Sequence, residues 1–338
     1  MTTINTLGEL LKAANSDYLV FDLGRRVQPI ATAIFEDFEK LQLAYPYPIQ
    51  GHAQFALVFG ENTQQPFIWF LKFPLDERGL LNPAARSQFM QMLSDAMGND
   101  ITRPLTEEEQ QRMADHPFNV RPSQEKLAIF NAQLRKQLKQ PASAQYEFAC
   151  QYLSRKTEAH LWQSVGLQGL ADICARADDF EHAQLLSNAL SSPITELQTA
   201  VCQLIEHVNL PTSSQQTIQH VFVNASAEQR SYLLRALASN SAACETLLRQ
   251  LATDEEKLDQ NQLIAIAARC WTCLKQDDVR KFYLESLAHQ PQSFFNQIFA
   301  DIVAIPEIRH PLLSELRNPE RSVQLSQAIG GLFKATTQ

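Results

Sequence analysis

Asp22, Arg25 and Arg26 in VFDLGRRV (residues 20–27), and Asp76, Glu77 and Arg78 in FIWFLKFPLDERGLL (residues 67–81), are where this chain sets charge against apolar runs of strand type. Two carboxylates beside an arginine at a strand end could bind a cation or position a proton, and paired arginines could fork a phosphate or a carboxylate. Each stretch also has a structural use. Pro74 ends a strand by removing a ladder donor, and Asp76 can cap the backbone donors of the turn that follows. Neither acid has a nucleophile or histidine beside it in sequence, so no catalytic residue is assigned. The six charged residues stand as candidates for ligand or partner binding.

Other chemistry is incomplete in the chain. The Asp-Xaa-Gly core at Asp22 resembles the first phosphate motif of actin-like ATPases, but Arg25 replaces the expected hydroxyl residue, no clear hairpin strand follows, and no second such element occurs. CWTC (residues 270–273) has redox or zinc spacing, yet two turns of helical pattern precede it and no second Cys or His pair completes four ligands. The eight histidines show no HExxH spacing, and GxxxxGK[ST], GxGxxG and GxSxG are absent. No metal and no cofactor is expected. The six cysteines read as reduced thiols packed as small hydrophobes.

The elements that would position these residues follow from glycine usage and apolar period. Six of the ten glycines precede residue 99, and only Gly166 and Gly169 fall between 99 and 329. So long a stretch with little use for left-handed turns is expected to be helical. Leu197, Ala200, Val201, Leu204, Ile205 and Val208 recur at helical spacing, as do Cys244, Leu247, Leu248 and Leu251, and Leu263, Ile266, Ala267, Cys270, Trp271 and Leu274. Ser192-Pro193 and Asn318-Pro319 read as N-cap and N1 pairs, and Thr106 with Glu109 and Ser226 with Gln229 as capping boxes. Helix pairs are expected to begin near Glu158, Pro193, Ala227, Gln260 and Ser293, a period of 33 to 35 residues. A helical hairpin of that size buries its apolar face only by stacking on copies of itself. Gly166 and Gly169 are expected to face one side of the helix containing Trp162 and to allow close packing.

The first hundred residues differ. Helices are expected near 4–14, 31–42 and 82–97, with a strand over 18–23. AQFALVF and FIWFLKF flank GENTQQP as a hairpin whose alternating Ala53, Phe55, Leu57, Phe59 and Phe67, Trp69, Leu71, Phe73 share one face. YPYP (residues 45–48) must be extended or turned, carrying the chain from helix to strand or offering rings to a partner. The expected fold is an α+β N-terminal domain (1–98), a helical linker region rich in Pro and charge at its start (99–141), and an all-α helical-repeat domain of HEAT/TPR-like α-solenoid type (142–338).

Net charge is −8, and no basic block exists to neutralise phosphates, which excludes nucleic acid as an expected partner. MTTINTLGELL lacks a basic segment with an apolar core, and no apolar run approaches the roughly 20 residues of a bilayer span. A cytoplasmic protein without a membrane segment is expected.

YPYPIQ, PFIWFLKFPLDERGLL and VFDLGRRV together resemble a bacterial domain-of-unknown-function family with a Leu-Asp-Glu motif, here Leu75, Asp76 and Glu77. The resemblance implies no activity and supplies no catalytic residue. The repeat period and the missing catalytic motifs point to a non-enzymatic scaffold whose helical surface binds a protein or peptide. The alternative is a small-ligand or enzymatic pocket between the two domains, using the six charged candidates.

Overall fold

The computed structural model describes residues 4–60, 65–97 and 116–336, and the expected capping box at Thr106 and Glu109 lies outside them, as does most of GENTQQP. The chain forms two compact units, Met1–Ser123 with Ala304–Pro306, and Gln124–Val303 with Glu307–Gln338.

In the first unit α1 (Leu7–Ala13) leads to β1 (Tyr18–Asp22), β2 (Gln28–Ile30), α2 (Thr32–Glu39), β3 (His52–Phe59), β4 (Phe67–Pro74) and α3 (Pro83–Met97). The sheet is antiparallel in the order β2-β1-β3-β4. The expected hairpin is present, with Phe55 opposite Leu71 and Leu57 opposite Trp69. One strand departs from expectation: β2 follows β1 directly and pairs Phe21 with Pro29. A three-residue strand with proline in it carries almost no alternating signal, and proline is tolerated because β2 is an edge. Beyond β4, Lys72 N–H donates to Phe118 O and Val120 N–H to Phe70 O, so part of that edge is paired. The alternating face carries the core. Phe55 meets Phe35 edge-on at 5.0 Å and stacks on Phe73 at 5.9 Å, and Phe73 meets Phe89 at 5.3 Å. Each such pair contributes about 0.5–1.5 kcal/mol beyond burial. Phe21, Ala56 and Val58 on the opposite face are buried as well.

The second unit is helical throughout: α4 (Gln124–Gln137), α5 (Tyr146–Leu153), α6 (Leu167–Cys174), α7 (Phe180–Leu190), α8 (Thr195–Ile205), α9 (Thr212–Val223), α10 (Ala227–Ala236), α11 (Ser241–Thr253), α12 (Gln260–Ala268), α13 (Asp277–Ala288), α14 (Gln292–Val303), α15 (Pro306–Glu315) and α16 (Val323–Thr336). In one layer α4, α6, α8, α10, α12, α14 and α16 each pack on the next named. In the other, α5 packs on α7, α7 on α9, and α11 on α13. Helix i meeting helix i+2 in two layers is the packing of a helical-repeat array. From α8 the first-layer starts fall at Thr195, Ala227, Gln260, Gln292 and Val323, intervals of 32, 33, 32 and 31 residues. The capping box of Ser226 and Gln229 forms as expected.

Four local expectations are corrected. The segment after Glu158 is a 3-10 helix (Ala159–Ser164), and the first-layer helix begins only at Leu167. Gly166 is therefore an N-cap and Gly169 lies in α6, where a Cβ would come within 2.4 Å of Gln145 O, so the close packing is against the start of α5. Pro193 and Pro319 precede their helices instead of opening them, because Ser192 Oγ accepts from Ile194 N–H and Asn318 Oδ1 from Glu320 N–H in turns. The helix expected through Leu274 stops at Ala268, and Trp271–Lys275 forms a 3-10 turn. Cys270, Trp271, Cys273 and Leu274 are all buried at that break.

Candidate functional site

The three sequence segments with the most unusual composition meet at one end of the sheet. Asp22 ends β1 and is fully buried. Its Oδ1 accepts from Gly24 N–H at 3.1 Å, and its Oδ2 from Arg25 N–H at 3.2 Å and Arg26 N–H at 3.1 Å. The Tyr45 hydroxyl donates to Asp22 Oδ1 at 2.8 Å and stands 3.0 Å from Gln54 O, while Tyr45 N–H donates to Gly79 O at 2.8 Å. Tyr45 thus ties the Asp22 turn to the Asp76 turn through YPYP. Arg25, also fully buried, donates from Nε to Pro48 O at 2.7 Å. A Cβ on Gly24 would reach Ile49 Cγ2 at 2.9 Å, so the packing selects glycine there.

Asp76 does the same work in the open. Its Oδ1 accepts from Leu80 N–H at 2.8 Å and Arg78 N–H at 2.9 Å, and its Oδ2 meets Arg78 Nε at 3.3 Å. The Leu80 N–H first, then those of Arg78 with its guanidinium, hold its carboxyl below the usual range. Glu77 and Arg78 are exposed. The six candidates therefore gather at one sheet end, where Asp22 and Asp76 accept from the chain's own backbone. A carboxylate has about four acceptor sites, and three backbone N–H groups and the Tyr45 hydroxyl donate to those of Asp22. Burial, then the charge of Asp22, raises the Tyr45 hydroxyl far above its ordinary range.

Cys270 and Cys273 are buried, and Cys270 Sγ donates to Leu234 O. Among the described residues no group of three or more His, Cys, Asp or Glu side chains could hold a metal. Tyr146 Oη lies 2.7 Å from His182 Nε2, and His182 Nδ1 lies 2.9 Å from Asp179 Oδ1, a chain that pins α5 to α7.

Sequence reasoning missed the second polar centre. Glu206, 1% exposed, caps the end of α8. Arg235 at the end of α10 donates to it from Nε at 2.6 Å and Nη2 at 3.2 Å, and Arg269 after α12 from Nε at 2.6 Å. His207 Nε2 lies 3.4 Å away. Burial works against the charge, but Arg269, His207 and Arg235 together overcome it and hold the carboxyl down at about 2. A signal existed in the sequence: charge interrupts an apolar run at Leu204-Ile205-Glu206, and Arg235 and Arg269 follow 29 and 63 residues on, near one and two repeats. Over this clamp lies a groove of about 230 Å³ between α10 and α12, lined by Tyr232, Arg235, Asn261, Ile264 and Arg269 among others.

A family model described as "Protein of unknown function (DUF3549)" matches residues 2–333. No curated protein and no solved structure matches the chain.

Proposed function

We propose, from the premise that this chain belongs to the DUF3549 family of proteins of unknown function, that it is a non-enzymatic interaction protein whose helical array binds an extended peptide segment of a partner. One observation carries this reading. The second, fifth and ninth residues of α8, α10, α12 and α14 share a helix face. In order they are Glu196, Glu228, Asn261 and Ser293; Thr199, Ser231, Ile264 and Asn296; and Gln203, Arg235, Ala268 and Ala300.

This face is short and mostly uncharged, with hydroxyls and amides at regular intervals. Such a surface lets an extended backbone lie close and find hydrogen-bond partners along its length. The array holds this face still, because its apolar stripe is already buried against the second layer: Leu197, Val201, Leu204, Leu233, Leu234, Leu263 and Ile266 are all within a few per cent of complete burial. Rigid presentation lowers the entropy cost of binding.

The test is site-specific photocrosslinking in cells that express the chain. A photoreactive residue at Ala300 or Asn261 is expected to trap a discrete protein partner, whereas one at Gln216 on the second layer is not. Equal trapping from both layers, or turnover of a small metabolite by the purified chain with no trapping at all, overturns the reading.

A further inference from the structure

We propose that the groove between α10 and α12 receives a carboxylate on an acidic side chain of the bound peptide, an assignment that rests on the peptide-binding reading above. The charges under the groove do not cancel. Arg235 and Arg269 bring two positive charges, and Glu206 returns one. Glu228 lines the groove as well, but it sits seven residues before Arg235 on α10, roughly 10 Å along the helix, where solvent screens it.

The donors are not used up either. A guanidinium has five N–H groups. Arg235 spends two on Glu206, and Arg269 spends one on Glu206 and one on Ala268 O. Among the described residues the remaining N–H groups of both meet no other acceptor, while the side chains stay 24% and 13% exposed. Glu206 is fixed beneath them and holds both planes in place, so they are oriented before any ligand arrives. The Arg235 guanidinium lies 5.5 Å from the Tyr232 ring centroid, which limits its freedom further.

The surplus of one positive charge suits a carboxylate better than a dianionic phosphate, and about 230 Å³ admits one side chain. A side chain fits better than a chain terminus, because the low uncharged face continues past the groove on both sides, through Thr199 and Gln203 on α8 and Asn296 and Ala300 on α14. Exposed Ile264 beside the groove offers apolar contact to the neighbouring peptide residue.

The full-length chain is titrated by fluorescence anisotropy with pools of end-blocked nonapeptides whose central residue is Glu, Gln or phosphoserine, and with a Gln pool carrying a free C-terminal carboxylate. The Glu pool is expected to bind about tenfold more tightly than the Gln pool. Ala268→Glu sets a competing carboxylate at the groove without touching the bonds to Glu206, and is expected to abolish that preference while far-UV circular dichroism stays unchanged. Equal binding of the Glu and blocked Gln pools, including no binding of either, overturns the assignment, as does preference for phosphoserine or for the free terminus. Crosslinks from Ala300 that persist in such a case leave the peptide-binding reading standing, so the two failures are told apart.

Discussion

Glu39 in the sheet unit and Glu206 in the helical array are equally buried carboxylates, yet the structure drives their acidities in opposite directions. Glu39 accepts from Leu7 N–H at 2.7 Å and Gly8 N–H at 2.9 Å, and burial nevertheless raises it to about 7. Glu206 faces two guanidiniums and is held at about 2. Two backbone donors and the charge of nearby Arg86 do not offset the water that Glu39 loses, whereas two guanidiniums bonded directly to Glu206 do. Asp22, in the same unit as Glu39, accepts from three backbone N–H groups and a tyrosine hydroxyl. In the sheet unit, carboxylates fasten the chain to itself; in the array, the clamp leaves cationic donors over.

The strongest way to break this comparison is Asp22→Ala. It strands three backbone N–H groups, most of them in a buried site, and leaves the Tyr45 hydroxyl only Gln54 O, with a cost of about 3–5 kcal/mol expected in urea denaturation. A loss under about 1 kcal/mol would show that water replaces the carboxylate and that the turn is not fastened by it.

Glu206→Gln tests the cationic side. Because the folded carboxyl lies below the ordinary carboxylate value, its stabilisation is present above about pH 4.5 and fades as pH falls towards 2. The wild type should lose on the order of 3 kcal/mol over that window from this group, and the variant should lack that part of the slope.

Glu39→Gln should act with the opposite sign and a somewhat smaller size. The folded carboxyl titrates near 7 and the unfolded one near 4.5, so between those values the folded state carries the extra proton and stability falls as pH rises. The substitution is expected to flatten that fall, by roughly 2 kcal/mol at pH 8 once the weaker acceptor is counted. A variant that keeps the slope would place the titration elsewhere. The smallest effect belongs to Asp76→Ala, whose turn is open to water: the urea midpoint should move less than for any substitution above.

Much of the fold was legible because it repeats or alternates. The β3–β4 hairpin follows from eight alternating positions, and the starts of α10 and α12 from apolar period and polar caps. β2 was not legible, since its pairing depends on where the turn after Asp22 throws the chain. The candidate site divides the same way. Asp22 and Asp76 stood out as charges at strand ends, but their neutral partners are backbone groups, which composition does not display. Glu206, Arg235 and Arg269 were hidden by distance along the chain.

The sequence alone determined the kinds of element and their rhythm, because propensity, capping and apolar period act over a few residues. Tertiary structure alone decided that buried Glu39 accepts from the amides of α1, whereas buried Glu206 accepts from arginines of other helices. That choice depends on contacts between residues 29 to 63 positions apart, which arise only when successive helices stack and exclude water from the groups between them.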